Sequence, residues 1–195
     1  TRPDEPSYKG MVLRETIPAK LLKSIRELSL SNNTSLFMSL LSMFYLFLHR
    51  YTGENDIVIG TPIANRHYKE LEGIVGFFAN TLALRMLCDG SKSFLELMED
   101  VKQMSLKCFE HQDLPFEHLV ELLNVDRDIT KNPVFQTMFI FVNKRTPLNI
   151  SDLEVSELEL SNDTSKFDLT LSIIHTDQDL LMEWEFALDL FYPST

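Results

Sequence analysis

"SLFMSLLSMFYLFLHRY", residues 35–51, is apolar on nearly every face of the helix it predicts. The stretch falls short of the roughly 20 residues that cross a bilayer, and Ser39 and Ser42 interrupt it. A water-soluble helix of this kind must be covered on both sides, so the rest of the chain has to supply a sheet and further helices. Thr34 is placed to cap it, and Gly53 to end it in a left-handed conformation. Upstream, the alternation in "GMVLRETI" (10–17) predicts a strand. Pro18 then opens a helical pattern through Leu21, Leu22, Ile25 and Leu28 to about Leu30, broken by Asn32 and Asn33.

Downstream, "DIVIGTPIA" (56–64) and "FFANTLALRML" (77–87) read as strands, followed by a turn at Asp89 and Gly90. Ser93 opens a long amphipathic helix that ends before Pro115, and a shorter helix runs from Pro115 to Leu123, pinned by Phe116, Leu119 and Leu122. From Phe135 the period changes to strands: "FQTMFIFVN", "DLEVSELELS", "FDLTLSIIH" and "LLMEWEFAL", the last two joined by the turn "TDQD". The expected architecture is α/β, a two-layer sandwich of mixed β-sheet covered by helices.

Composition excludes several functions. Against 29 acidic residues stand 18 basic ones, a net charge of -11, which argues against nucleic acid as a partner. No segment reads as a membrane span or a signal peptide. Two cysteines, Cys88 and Cys108, suit a reducing, cytoplasmic setting and leave no zinc framework. There is no P-loop, no G-x-G-x-x-G and no G-x-S-x-G.

Two stretches concentrate titratable groups. In "HQDLPFEHLVELL" (111–123), Pro115 resets the helix between His111 and His118, which removes the spacing a metal pair would need. The better reading is a helix junction in which Asp113 caps the second helix and Glu117 sits in its first turn. In "HTDQD", His175 and Asp179 have the H-x-x-x-D spacing of an acyltransferase base and its orienting carboxylate, but they straddle an ordinary polar turn.

Taken together, "VGFFANTLALR" (75–85), "HQDLPFE" (111–117) and "RDITKNPV" (127–134) resemble, in order and spacing, three downstream signature motifs of nonribosomal peptide synthetase condensation domains. "IGTPIANR" (59–66), "NPVFQTMFIFVN" (132–143), "KFDLTLSI" (166–173) and "WEFALDLFY" (184–192) extend the resemblance over nearly the whole chain. Ala79, Leu114, Thr130, Lys131 and Val134 are small departures; the large one is that the family's catalytic H-H-x-x-x-D-G does not occur.

The resemblance implies a chloramphenicol acetyltransferase-like lobe: residues 1–10 as the inter-lobe linker and 11–195 as the C-terminal subdomain of a two-lobed enzyme. That enzyme joins carrier-bound donor and acceptor thioesters through an amide bond. It implies as partners the N-terminal catalytic lobe, peptidyl carrier proteins and an adjacent adenylation domain. The carriers' phosphopantetheine arm would be the substrate carrier, with no cofactor or metal bound directly. The motif residues expected at the tunnel or the lobe interface are Gly76, Phe78, Asn80, Thr81, Arg85, His111, Gln112, Asp113, Pro115, Phe116, Glu117, Arg127, Asp128, Asn132 and Pro133, none of them catalytic. An ion pair between Arg127 and Asp128, and a basic patch around "KNPVFQ" (131–136) and "NKR" (143–145), with Lys144 and Arg145, for acidic carrier proteins, are further expectations. The alternatives are a stand-alone acyltransferase using His175 and Asp179, and a non-catalytic docking module for carrier proteins.

Overall fold

The computed structural model describes residues 2–66, 68–125, 128–143, 153, 155, 162–175 and 179–194. A six-stranded mixed sheet has the order β1-β6-β5-β4-β2-β3. Its strands are β1 (Gly10–Ile17), β2 (Asp56–Ile63), β3 (Asn80–Leu87), β4 (Thr137–Asn143), β5 (Leu169–His175) and β6 (Leu180–Ala187). β4 runs parallel to β2 and β5, and the remaining pairs are antiparallel. The helices are α1 (Ala19–Ser31), α2 (Leu36–Thr52), the short α3 (Lys69–Glu72), α4 (Phe94–Glu110) and α5 (Phe116–Leu123). The expected strand "DLEVSELELS" lies almost wholly outside the described residues.

Period-2 alternation sorts each strand onto two faces. Ile57, Ile59, Leu82, Leu84, Met86, Phe139, Leu171 and Ile173 point toward α1, α2 and α4 and form one core with Leu22, Leu41, Phe44, Leu97 and Val101. Phe139 has no exposed surface; its ring lies 5.5 Å from that of Phe37 and 5.7 Å from that of Phe44. The apolar α2 is covered as its composition demands, and its serines are satisfied inside the core. Ser42 Oγ donates to the Met38 carbonyl (2.8 Å), while the hydroxyls of Ser29, Ser39 and Thr34 form a chain with spacings of 2.7 and 2.9 Å. Thr34 is committed to that chain, and the cap of α2 is Ser35, whose Oγ accepts from Met38 N. Gly53 ends α2 at φ 74°.

β3 is an edge strand, and its exposure to stray pairing is blunted from inside. The phenol of fully buried Tyr45 donates to the Leu84 carbonyl (2.7 Å), and burial holds that phenol well above the ordinary tyrosine range. Before β1, the segment is tied to the body: Arg2 donates to the Thr130 carbonyl (2.8 Å) and pairs with Asp168, and Ser7 donates to Asp189. Among the described residues no helix is long and apolar enough to cross a membrane.

Candidate functional site at the head of strand β3

Among the described residues, the opposite face of the sheet has no layer of long helices. Of those residues, α5 and the segment leading into β4 lie against it on the side of β2 and β3. Beside that partial cover lies a cavity of about 430 Å³, into which the motifs converge. Asn80 and Thr81 come from the first, Asp113, Pro115, Phe116 and Glu117 from the second, and Asn132 and Pro133 from the third.

Asn80 is the joint. Its Nδ2 donates to the carbonyls of Gln112 (2.9 Å) and Leu114 (2.8 Å), and its Oδ1 accepts from the backbone N–H of Thr81 (2.9 Å) and Phe116 (3.0 Å). Both donors of one amide therefore hold the end of the α4–α5 connection, while its oxygen receives the first N–H of α5. This corrects the expectation that Asp113 caps α5: Pro115 stands at the cap, and the acceptor comes from a strand more than thirty residues earlier. A proline at the cap brings no side-chain acceptor of its own, so the free N–H of Phe116 must be met from outside the helix. Along α5, Phe116, Leu119 and Val120 are partly buried and Leu122 is exposed, so Val120 takes the packing role expected of Leu122.

The third motif enters the same cavity through a strained turn. Phe135 N donates to the Pro133 carbonyl (2.8 Å) across Val134 at φ 71°, a three-residue turn that a β-branched residue adopts only at a cost. The turn seats Phe135 on Gly60, where any Cβ would collide with its ring. Phe135 then packs between the tilted ring of Phe116 (5.4 Å) and the stacked ring of Phe167 (5.6 Å). Asn132 Nδ2 fixes the turn to the Lys166 carbonyl (2.9 Å).

Gly76 and Phe78 belong to a loop organised by a residue that the motif reading did not single out. Arg66 donates to the carbonyls of Leu71, Ile74 (2.9 Å) and Gly76 (3.2 Å), and its guanidinium lies 4.2 Å from the centre of the Phe78 ring. Asn65, at φ 51°, turns the chain so that Arg66 reaches inward. The loop so held presents Val75 and Phe77 almost fully to solvent. Gly60, Arg66, Lys166 and Phe167 all fall in stretches that resemble the family, and that was the only sequence signal pointing to them.

Other motif residues are not gathered there. Arg85 lies at the far end of β3 in a bidentate pair with Asp56 (2.8 and 2.6 Å), which holds the Asp56 carboxyl below its ordinary range. Asp128 accepts from the N–H and hydroxyl of Thr130 (2.8 and 2.6 Å), bonds that lower its carboxyl, and stands 3.6 Å from Lys131. Its expected partner Arg127 lies outside the described residues, as do Lys144 and Arg145. His111 ends α4 on the surface. His118, also exposed, faces Glu121 at 3.5 Å. His175 Nε2 meets the guanidinium of Arg26 from α1. Among the described residues no group of three His, Cys, Asp or Glu is placed to hold a metal ion.

The profile of the condensation domain matches residues 1–195. The chain belongs to the condensation-domain family. Tyrocidine synthase 3 of Brevibacillus parabrevis is 42% identical over 195 residues, which are all of this condensation-domain chain and 3% of that synthase. The X-domain from teicoplanin biosynthesis superposes with a TM-score of 0.90 at 22% identity, over 100% of this chain and 45% of its own. A four-domain nonribosomal peptide synthetase bound to AMP and glycine gives 0.89 at 24%, over 98% of this chain and 16% of its own. The condensation-domain chain thus spans less than half of each of these relatives, and its fold is the α/β architecture of condensation domains, the chloramphenicol acetyltransferase-like one.

Proposed function

We propose that this chain is the C-terminal half of an amide-forming condensation domain of a nonribosomal peptide synthetase. In this reading residues 11–195 form one wall of the reaction chamber and part of the docking surface for carrier proteins, residues 1–10 link to the preceding half, and that half brings the histidine base. The donor acyl group and the acceptor amine arrive as thioesters on phosphopantetheine arms, and an adenylation domain loads them. The observation that carries the reading is the convergence of three family motifs on one cavity, at a sheet face that carries no long helix among the described residues. A half-sandwich needs a second body over such a face, and a wall built from motif residues is what a chamber between two bodies requires. The absence of H-H-x-x-x-D-G from the 195 residues and the 45% coverage of the X-domain chain support the division into halves.

The test mixes the purified chain with aminoacyl- and peptidyl-carrier proteins, alone and together with the preceding half of the same synthetase. Peptidyl thioester should form only in the combined reaction. Product from the chain alone would overturn the assignment.

A further inference from the structure

Beside the motif cavity, and sharing with it Phe77, Ala79, Asn80, Thr81, Lys166 and Phe167, the same sheet face holds a second cavity of about 440 Å³. Thr170, Ser172, Glu183 and Glu185 form its polar floor, with Met138 and Ile140 as the adjoining apolar strip. Thr170 is only 6% exposed, yet its hydroxyl oxygen has no hydrogen-bond partner. Such an orphan costs stability unless a ligand meets it. Glu185 faces Thr170 directly across the β5–β6 pair. Burial raises the Glu185 carboxyl; the Lys166 N–H opposes that shift, and the Glu183 charge adds to it.

Two cations lie nearby, and one of them, Lys166, lines the cavity itself. Arg14 pairs with Glu183 (2.7 Å), and the Lys166 ammonium lies over the Phe167 ring at 5.5 Å. Among the described residues, no lysine or arginine is in ion-pair range of Glu185. A half-buried carboxylate beside an orphan hydroxyl and an apolar strip complements one kind of group, a primary ammonium on an aliphatic stem. The ammonium donates to the carboxylate and the hydroxyl, and the stem lies on Met138 and Ile140.

We infer that this cavity is a side-chain subsite for a basic aminoacyl group of the lysine or ornithine class, with Glu185 and Thr170 as its specificity-determining residues. The inference rests on the condensation reading above, because it takes the occupant to be a carrier-bound substrate. No bond is made or broken in the subsite.

The experiment uses the complete condensation domain, with lysyl and norleucyl carrier thioesters offered in turn as donor and as acceptor. These side chains share a stem and differ in the ammonium. Wild type should prefer lysyl over norleucyl in one of the two roles, and Glu185→Gln and Thr170→Val should each reduce that preference about tenfold or more, the size of one charge-assisted hydrogen bond. Rates that change equally for both substrates, equal loss included, overturn the subsite. If wild type makes no product with any substrate, the condensation reading fails. Titrating lysyl-pantetheine against the ¹³C carboxyl resonance of Glu185 then decides the subsite separately: a shift absent with norleucyl-pantetheine supports it, and no shift removes it.

Discussion

Replacing Asn80 with alanine tests the joint between β3 and α5 more sharply than any other change. The amide makes four hydrogen bonds of 2.8–3.0 Å, to two carbonyls and from two N–H groups, and none of those backbone groups can be reached by a methyl. A single protein hydrogen bond contributes about 0.5–1.5 kcal/mol net, and the adjoining cavity lets water recover part of the loss, so the substitution should cost about 2–4 kcal/mol of local stability. Hydrogen exchange at the Phe116 amide reads this directly and should accelerate about 30- to 700-fold, since each 1.4 kcal/mol is tenfold. Asn80→Asp separates the two sides of the amide. It keeps the acceptor for Thr81 and Phe116 but turns a carboxylate oxygen on the carbonyls of Gln112 and Leu114, so it should recover little. Protection of Phe116 within a few-fold of wild type in Asn80→Ala, or full recovery in Asn80→Asp, would refute the account.

Phe139→Ala removes a ring with no exposed surface and should cost about 3–5 kcal/mol in urea unfolding of the complete domain; a loss under about 1 kcal/mol would mean that the core is not built around it. Arg66→Ala should speed tryptic cleavage after Lys69 by about tenfold, since three carbonyls lose their guanidinium, and Arg66→Lys should recover less than half because an ammonium lacks the fork; unchanged cleavage would free the loop from Arg66. The raised carboxyl of Glu185 means that the folded state binds more protons than the unfolded one between the ordinary Glu range and the folded pKa. Its contribution therefore weakens the fold as pH rises through that window, and Glu185→Gln should gain stability relative to wild type over the same interval. A difference that is flat with pH would remove this. Burial raises the Cys88 thiol, so it should react with a thiol reagent only on unfolding, and rapid native-state labelling would contradict its placement.

Much of the fold was legible because it rests on periodicity, which is local. The strand at Gly10–Ile17, the helix start at Ser93 and the glycine stop at Gly53 follow from a few neighbouring residues each. The apolar α2 announced a two-sided cover, and the alternation in β3 separated Leu82, Leu84 and Met86 from Thr81 and Arg85. The motifs likewise marked Asn80, Pro115 and Asn132 as belonging together. Which bond each would make was beyond the sequence, because hydrogen-bond partners depend on distance in space. Asp113 was the nearest acceptor to α5 along the chain, but the acceptor that arrives is Asn80, delivered by the β2–β3 hairpin. The collision that makes Gly60 obligatory, the turn that seats Phe135 on it, and the pairing of the orphan Thr170 with Glu185 exist only once β2, β4, β5 and β6 are in register. Sequence determined the elements and the family, because backbone preference and side-chain alternation act over a few residues. Tertiary structure alone decided the cavities and their chemistry, because a site is made by groups far apart in the chain that share one small volume.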